Sequence, residues 1–129
     1  MNDQTDVTQF LTKYYTAFST LDLETIAPFF HEPSVFISPQ GVLATQTSDD
    51  VKAAFSVIAE TFRSKGYGRS ELINLKVQQL SDTTTLASGI ADRYKADGQQ
   101  LERVGVTYIL QKSDSRWKIA VTVIHDAER

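Results

Sequence analysis

The sequence predicts an α+β fold in which helices come first and a long antiparallel sheet follows. Between residues 7 and 62, apolar residues recur mainly every three or four positions, as is typical of amphipathic helices. From residue 70 onward, apolar and polar residues alternate, as in half-buried strands. Short turn sequences divide this second part into four strands. Helices followed by a meander of strands indicate an α+β arrangement.

The first two helices are predicted from an apolar stripe and from their end signals. The stripe of the first helix is Val7, Phe10, Leu11, Tyr14, Tyr15 and Phe18. Asp6 is expected to cap this helix, with Gln9 three positions on to return the hydrogen bond. A second helix is predicted to begin at Asp22. Pro28 lies inside it and removes a backbone donor, so this helix should be short or bent.

The first strands and the third helix follow. Residues 33–39 form a short apolar run bracketed by prolines, which predicts a strand near a sheet edge. Residues 42–44 are expected to pair back on it. Thr47 or Ser48 should cap the third helix, and Gly66 should end it. The apolar stripe of this helix is Val51, Ala54, Phe55, Ile58, Ala59 and Phe62.

The strongest hairpin signal is Asp97-Gly98, because both central positions of a type I′ turn need positive φ. A two-residue loop at these positions would place Asp92 opposite Arg103. It would also place Arg93 opposite Glu102 on the other face. Two opposite-charge pairs from one turn assignment support this register.

The face that carries Asp92 and Arg103 is apolar enough to be the inner, helix-facing one. Its other members are Ile90, Tyr94, Leu101, Gly105, Thr107 and Ile109, with Tyr94 opposite Leu101. On an inner face the Asp–Arg pair could orient the polar end of a ligand. The alternative is that the pair only aligns the strands and protects an edge. The sequence leaves both interpretations open.

Composition excludes several classes of function. A chain of 129 residues with 41% hydrophobic residues is expected to form one domain, residues 1–129. Its net charge of −3 and lack of basic runs argue against nucleic acid as a partner. The apolar stretches are too short to cross a membrane, and the first residues lack signal-peptide features. We therefore expect a cytoplasmic protein.

Metal and cofactor sites are not expected. The chain has no cysteine, which removes thiol nucleophiles, disulfides and thiolate ligands. His31 and His125 have no ligand-like spacing. His31 is expected to be a capping or surface residue. The sequence therefore predicts no metal and no cofactor.

Two segments carry a resemblance to a known family. Residues 13–35 read as two helices that lead into a first strand, and residues 116–120 form a strand with a tryptophan. With this order of elements, the chain resembles the NTF2-like superfamily, in particular its SnoaL-like and ketosteroid-isomerase-like branch. The resemblance implies a cone-shaped curved sheet with a largely apolar pocket, and frequent dimerisation through the outer sheet face. Members of the family include isomerases, cyclases, dehydratases, epoxide hydrolases and domains without chemistry.

The family's catalytic residues carry over only in part. Tyr14 falls where ketosteroid isomerases place the tyrosine that donates to the oxyanion. Ser38 stands at the position of their carboxylate base, and Thr107 at that of their second donor. A neutral serine cannot serve as that base unaided, so isomerase chemistry is not implied. By the same analogy, Ala120, Thr122 and Ile124 face inward and His125 faces outward, towards the dimer surface.

The function predicted is binding of a small, largely apolar molecule in the cone pocket. The predicted pocket residues are Tyr14, Phe18, Phe36, Ser38, Phe55, Tyr94 and Thr107. One alternative is a lyase, isomerase or hydrolase with Asp92 as base or water activator, Arg103 as anion holder and Tyr14 as donor. Another is an oligomerisation module, in which Tyr14 would simply be a core residue. A homodimer through the outer face is expected in any case.

Overall fold

Three helical segments and one six-stranded sheet make up residues 3–127, the part of the chain that the computed structural model describes. The helical segments are α1 (Asp3–Thr20), α2 (Leu23–Ile26) with a 3-10 turn (Ala27–Phe29), and α3 (Ser48–Ser64). The strands are β1 (Phe30–Ser38), β2 (Gly41–Thr45), β3 (Tyr67–Gln79), β4 (Thr84–Lys95), β5 (Gln100–Ser113) and β6 (Arg116–His125). Their order is β2-β1-β6-β5-β4-β3, and every pair is antiparallel except β1 with β6. The predicted α+β fold is confirmed.

One of the two predicted helix caps is correct, and the second helix starts at the predicted Asp22, which caps it. The Asp22 carboxylate accepts a hydrogen bond from the Glu24 amide at 3.1 Å. Thr47 and Asp50 form a reciprocal capping box, in which each side chain accepts from the other residue's amide. The predicted cap at Asp6 is wrong, because α1 already includes the three residues before it. No proline or glycine stands there to stop the helix from extending.

Pro28 has the predicted effect on the second helix. After Ile26 the α-helix tightens into a 3-10 turn, which contains the proline. The chain then enters β1 directly at Phe30. This abrupt change of direction brings Phe29 and Phe30 against Tyr14, with ring centroids 5.6 and 5.5 Å away.

The hairpin between β4 and β5 has a three-residue loop, not the predicted two-residue one. The Lys95 amide donates to the Gln99 carbonyl at 2.8 Å, and Gly98 has a φ of +94° that favours glycine. Tyr94 therefore pairs with Gln100 instead of Leu101.

A bulge at Leu101 then restores the predicted register. Between Tyr94 and Arg93 the partner strand carries one extra residue. Asp92 consequently lies opposite Arg103, and Arg93 opposite Glu102, as predicted. The extra loop residue and the bulge compensate each other.

The prediction of the inner face was wrong. Ala87 and Ala91 are fully buried in the core against the helical layer. Because side chains alternate along a strand, Arg93 shares this inner face and Asp92 points to the outer one. The inner face was predicted to be the one with the larger apolar residues. On β4 the reverse holds, because this strand presents the small residues Ala87 and Ala91 to the large side chains of the helices.

A second bulge decides how β6 faces the core. Ile109 pairs with Val121 but Leu110 pairs with Ile119, which leaves Ala120 as the extra residue. Trp117 and Ile119 stand at odd positions and Thr122 at an even one. Because of the extra residue, all three are nevertheless buried on the inner face. His125 lies on the outer face, as expected.

Curvature is also introduced in β3. Between Ile73 and Lys76 this strand has one more residue than β4, and Asn74 adopts a φ of +54°. Gly89 lies opposite, where an added Cβ would stand only 2.8 Å from the Ile73 carbonyl oxygen. A glycine is thus needed for the bulged strand to approach.

Among residues 3–127, no helix is long and apolar enough to cross a membrane.

Candidate functional site

A cavity of about 280 Å³ lies between the helical layer and the inner face of the sheet. α1 and α3 supply most of its aromatic side chains, and β1 and β5 supply the others. β4 and β6 contribute Arg93, Thr122 and Ile124. The polar groups that line it are those of Tyr14, Tyr15, Ser38, Gln40, Arg93, Glu102, Tyr108 and Thr122.

Five of the predicted pocket residues line this cavity. They are Tyr14, Phe18, Phe36, Ser38 and Phe55. Phe36 and Phe55 pack edge to face with ring centroids 5.7 Å apart. These aromatic rings give the cavity a rigid apolar wall.

The other two predicted pocket residues, Tyr94 and Thr107, lie on the outer face. The guanidinium of Arg69 stacks 4.3 Å from the centre of the Tyr94 ring. The Thr107 hydroxyl lies 2.9 Å from Nε2 of His125. Both placements follow from the parity of β4 and β5, which the sequence argument assigned to the wrong face.

Asp92 and Arg103 are cross-strand neighbours, but on the outer face and away from Tyr14. Arg103 donates to both Asp92 carboxylate oxygens, at 2.7 and 3.0 Å, and the Gln100 amide adds a third bond at 3.1 Å. The Asp92 side chain is 3% exposed and that of Arg103 is 49% exposed. The proposed convergence of Tyr14, Asp92 and Arg103 on one cavity is therefore wrong.

The charged pair in the cavity is Arg93–Glu102 instead. Arg93 Nε donates to Glu102 at 2.9 Å, and Nη1 donates to the Ser70 hydroxyl at 3.0 Å. Its guanidinium also lies over the rings of Phe18 and Phe62, at 4.9 and 5.2 Å. Such contacts stabilise a cation that is withdrawn from water. The sequence predicted this pair correctly but assigned it to the outer face.

Three tyrosines meet on the floor of the cavity. The hydroxyls of Tyr15 and Tyr108 share a hydrogen bond of 2.7 Å. Within the described part of the chain, the Tyr14 hydroxyl has no hydrogen-bond partner. Burial raises the pKa of Tyr14 well above 10.0, Tyr15 adds to the rise, and the charge of Arg93 opposes it. Tyr14 is thus a neutral hydroxyl available to a ligand.

Thr122 supplies a second unused hydroxyl. The residue is 6% exposed, and its Oγ1 has no hydrogen-bond partner in residues 3–127. A buried hydroxyl without a partner costs about 1–3 kcal/mol. The hydroxyl of Thr85, also on the inner side of the sheet, likewise has no hydrogen-bond partner in residues 3–127, but Thr85 does not line the cavity. Thr122 was predicted to face inward, but it was not predicted to be a site residue.

Neither histidine belongs to the cavity. His125 packs over Gly105 on the outer face, where an added Cβ would lie 2.4 Å from the ring. His31 Nδ1 lies 2.9 Å from the Pro33 carbonyl oxygen. In the described residues, no group of three or more His, Asp or Glu side chains is arranged to hold a metal ion.

Comparison with known proteins identifies the fold family. A family model described as NTF2-like protein (DUF6841) matches residues 3–127. A protein of unknown function with a cystatin-like fold from Nostoc punctiforme has a TM-score of 0.81 at 13% identity, with 95% of this chain and 90% of that one covered. Aln2 from a Streptomyces species has a TM-score of 0.80 at 21% identity, with coverages of 97% and 91%.

A third similar structure is an NTF-2-like protein of unknown function from Shewanella oneidensis. Its TM-score is 0.76 at 20% identity, and the match covers 97% of this chain and all of that one. At these identities the three structures establish the fold alone. No curated protein matches the sequence.

Proposed function

The chain belongs to the NTF2-like family DUF6841, and we propose that it binds a small, largely apolar molecule in the cavity between its helices and its sheet. The membership confirms the resemblance to the NTF2-like superfamily that was drawn from the sequence. The cavity of about 280 Å³ lies near the lower end of the roughly 300–1,000 Å³ typical of ligand pockets. A compact molecule with one or two rings matches this volume.

The observation that carries the proposal is the unpartnered hydroxyl of Thr122. Buried polar groups are almost always hydrogen-bonded, so each exception needs an explanation. Thr122 lines the cavity from β6, and Tyr14, also without a partner among the described residues, lines it from α1. A ligand with a hydroxyl or carbonyl group would give these two groups the hydrogen bonds they lack.

Charge balance favours a neutral ligand. Arg93 is paired with Glu102 and also bonded to Ser70. The cavity therefore contains one positive and one negative side chain, which compensate each other. Removing an anion from water would cost free energy that no unpaired cation among the described lining residues offsets.

The alternative of a lyase, isomerase or hydrolase depends on a group that can move a proton. Glu102 is the carboxylate that lines the cavity, and it already accepts a hydrogen bond from Arg93. This engagement favours binding over proton abstraction as the function of the cavity. Turnover would show itself as a chemically altered ligand after incubation with the protein.

The test compares two threonines. Acetophenone, a ring with a carbonyl, is titrated into the protein and followed by amide chemical shifts in two-dimensional NMR, beside ethylbenzene as its apolar analogue. Thr122→Val should raise the free energy of unfolding by about 1 kcal/mol and weaken acetophenone binding roughly three- to tenfold. Thr85→Val should stabilise equally and leave the affinity unchanged. Equal affinities in both variants would contradict the proposal.

We further propose that the protein is a homodimer through the outer face of the sheet. The helices pack on the inner face, so an apolar patch faces outward from four strands: Val35, Ile37, Val42, Ile109, Val121 and Val123. Val42 is 71% exposed and Ile37 is 36% exposed. Exposed apolar patches of this kind mark association surfaces. A cytoplasmic location remains a prediction from the sequence.

Analytical ultracentrifugation at micromolar concentration tests the dimer. Val123→Lys would place a charge in the patch and should convert the dimer to monomer. Val57→Lys is the matched control, because Val57 is 67% exposed on α3 and lies outside the patch. A wild-type protein that sediments only as a monomer would exclude the dimer.

A further inference from the structure

A second hollow lies outside the cavity, between the first half of α1, the 3-10 turn and the hairpin that joins β5 to β6. It is a groove of about 620 Å³, within the range of sites for small organic ligands. Its lining shares no residue with that of the cavity. Binding in the groove is therefore independent of binding in the cavity.

The groove is positively charged although the chain as a whole carries −3. Four basic side chains line it, against the single carboxylate of Asp6: Lys13, Lys112, Arg116 and Lys118. A concave surface lined by one sign of charge concentrates ions of the opposite sign. The groove thus has the field of an anion site on an otherwise acidic protein.

Two of these cations are available to a ligand. Lys13 and Arg116 are exposed, and within residues 3–127 neither of them forms an ion pair. Lys118 instead donates to the Pro28 carbonyl oxygen, and the Lys112 ammonium lies 5.6 Å from the centre of the Trp117 ring. Lys13 and Arg116 stand on separate elements, one on α1 and the other at the start of β6.

Aromatic side chains form the apolar part of the groove. The rings of Phe10 and Phe29 meet edge to face with centroids 5.3 Å apart. Trp117 lines the groove beside them and is 7% exposed, and its indole N–H has no acceptor in the described part of the chain. Buried indole N–H groups usually have a partner, so this donor is a second feature that a bound acceptor would satisfy.

We propose that this groove binds an organic anion that carries a ring or a hydrocarbon chain. The acidic group lies between Lys13 and Arg116, and the apolar part packs on Phe10, Phe29 and Trp117. The two unpaired cations supply the charge recognition, and the aromatic rings exclude small inorganic anions as the preferred ligands, since these have no apolar surface to bury.

The probe is 4-phenylbutyrate, with uncharged 4-phenylbutanol as its matched analogue. Trp117 is the single tryptophan of the chain, so one indole N–H resonance reports on the groove in two-dimensional NMR. Titration with the carboxylate should move this resonance, and the affinity should fall as salt is raised. The alcohol should bind about tenfold more weakly or worse. Equal affinity for both compounds would overturn the proposal.

Charge substitutions locate the site. The double variant Lys13→Gln/Arg116→Gln should bind 4-phenylbutyrate about tenfold more weakly. The control Lys65→Gln/Lys76→Gln removes the same charge from exposed positions outside the groove and should bind like the wild type. If both double variants lose affinity equally, only overall charge matters and the proposal fails.

The two hollows are distinguished by one more variant. Thr122→Val, which alters the cavity, should leave the shift of the Trp117 resonance and the affinity for 4-phenylbutyrate unchanged. A loss of affinity in this variant would mean that the probe occupies the cavity, and the groove site would be rejected. If a double variant folds poorly, the wild-type protein still tests the proposal. The affinities for 4-phenylbutyrate and 4-phenylbutanol, each measured at low and at high salt, show whether the negative charge is recognised.

Discussion

The two faces of the β4–β5 hairpin carry charge pairs of opposite design. On the inner face the cation is buried and the anion is open, since the Arg93 side chain is 8% exposed and that of Glu102 is 37% exposed. On the outer face the anion is buried and the cation is open, at 3% for Asp92 and 49% for Arg103. In each pair the exposed member compensates a charge that cannot reach water.

This contrast predicts which substitutions should lower the stability of the protein most. Removing the exposed partner leaves a buried charge without its counter-charge, which costs more than the pair itself contributes. The buried members differ in what else holds them. Asp92 has the Gln100 amide besides Arg103, whereas Arg93 has the Ser70 hydroxyl and two aromatic rings. The outer pair should therefore be the more sensitive one.

The largest effect is expected for Arg103→Ala. It deprives the buried Asp92 carboxylate of two hydrogen bonds and should lower the free energy of unfolding by about 1–3 kcal/mol. Arg69→Ala is the matched control, because Arg69 lies on the same face, is 52% exposed and pairs with an exposed Glu71. That pair and the stacking of Arg69 on the Tyr94 ring should together contribute about 1 kcal/mol or less. Urea denaturation measures both, and equal losses would remove the distinction between buried and exposed carboxylates.

Glu102→Gln should have a smaller effect on stability and a visible one on binding. We expect a loss of about 1 kcal/mol, because Arg93 keeps Ser70 and its aromatic contacts. The cavity would then contain an uncompensated cation, so benzoate should bind the variant more tightly than the wild type. NMR titration with benzoate checks this, and Glu71→Gln on the outer face is the control. An unchanged benzoate affinity would show that Glu102 does not set the charge of the cavity.

The smallest effect concerns alkaline pH and the tyrosines of the inner face. Burial raises the pKa of Tyr14 and of Tyr108 well above 10.0, so the folded state holds these protons more tightly than the unfolded chain does. Their contribution to stability is complete below about pH 10 and is lost as the pH rises further. Tyr14→Phe should therefore flatten the fall of the melting temperature above about pH 10. An unchanged slope would mean that Tyr14 ionises as freely as in the unfolded chain.

Much of the fold follows from local signals. The start of the second helix at Asp22, a cap at Thr47 or Ser48, and four strands in the second part of the chain were predicted from residue type and alternation, and the structure has them. Such features depend on a few neighbouring residues, and the physical rules for caps and alternation apply within that range. The Asp6 cap failed because the same pattern occurs by chance inside a helix.

The candidate site was predicted in part. Aromatic residues of the helical stripes, such as Phe18 and Phe55, line the cavity because their phase on the helix is fixed by a period of 3.6. The polar residues from β4 and β5 were assigned to the wrong face, so Tyr94 and Thr107 were included and Arg93 was not. Both faces of these strands carry apolar residues, and alternation alone cannot distinguish them.

The order of elements, the two charge pairs and their mutual register follow from the residue pattern alone. Which of the two pairs faces the helices depends on how the elements pack. Ala87 and Ala91 show the reason, since their small side chains leave room for the large residues of α1 to fill the core. The bulge at Ala120 likewise lies in a strand that also pairs with β1, which is distant in the chain. Period and propensity are local properties, whereas the inner face is set by how the volumes of separate elements fit together.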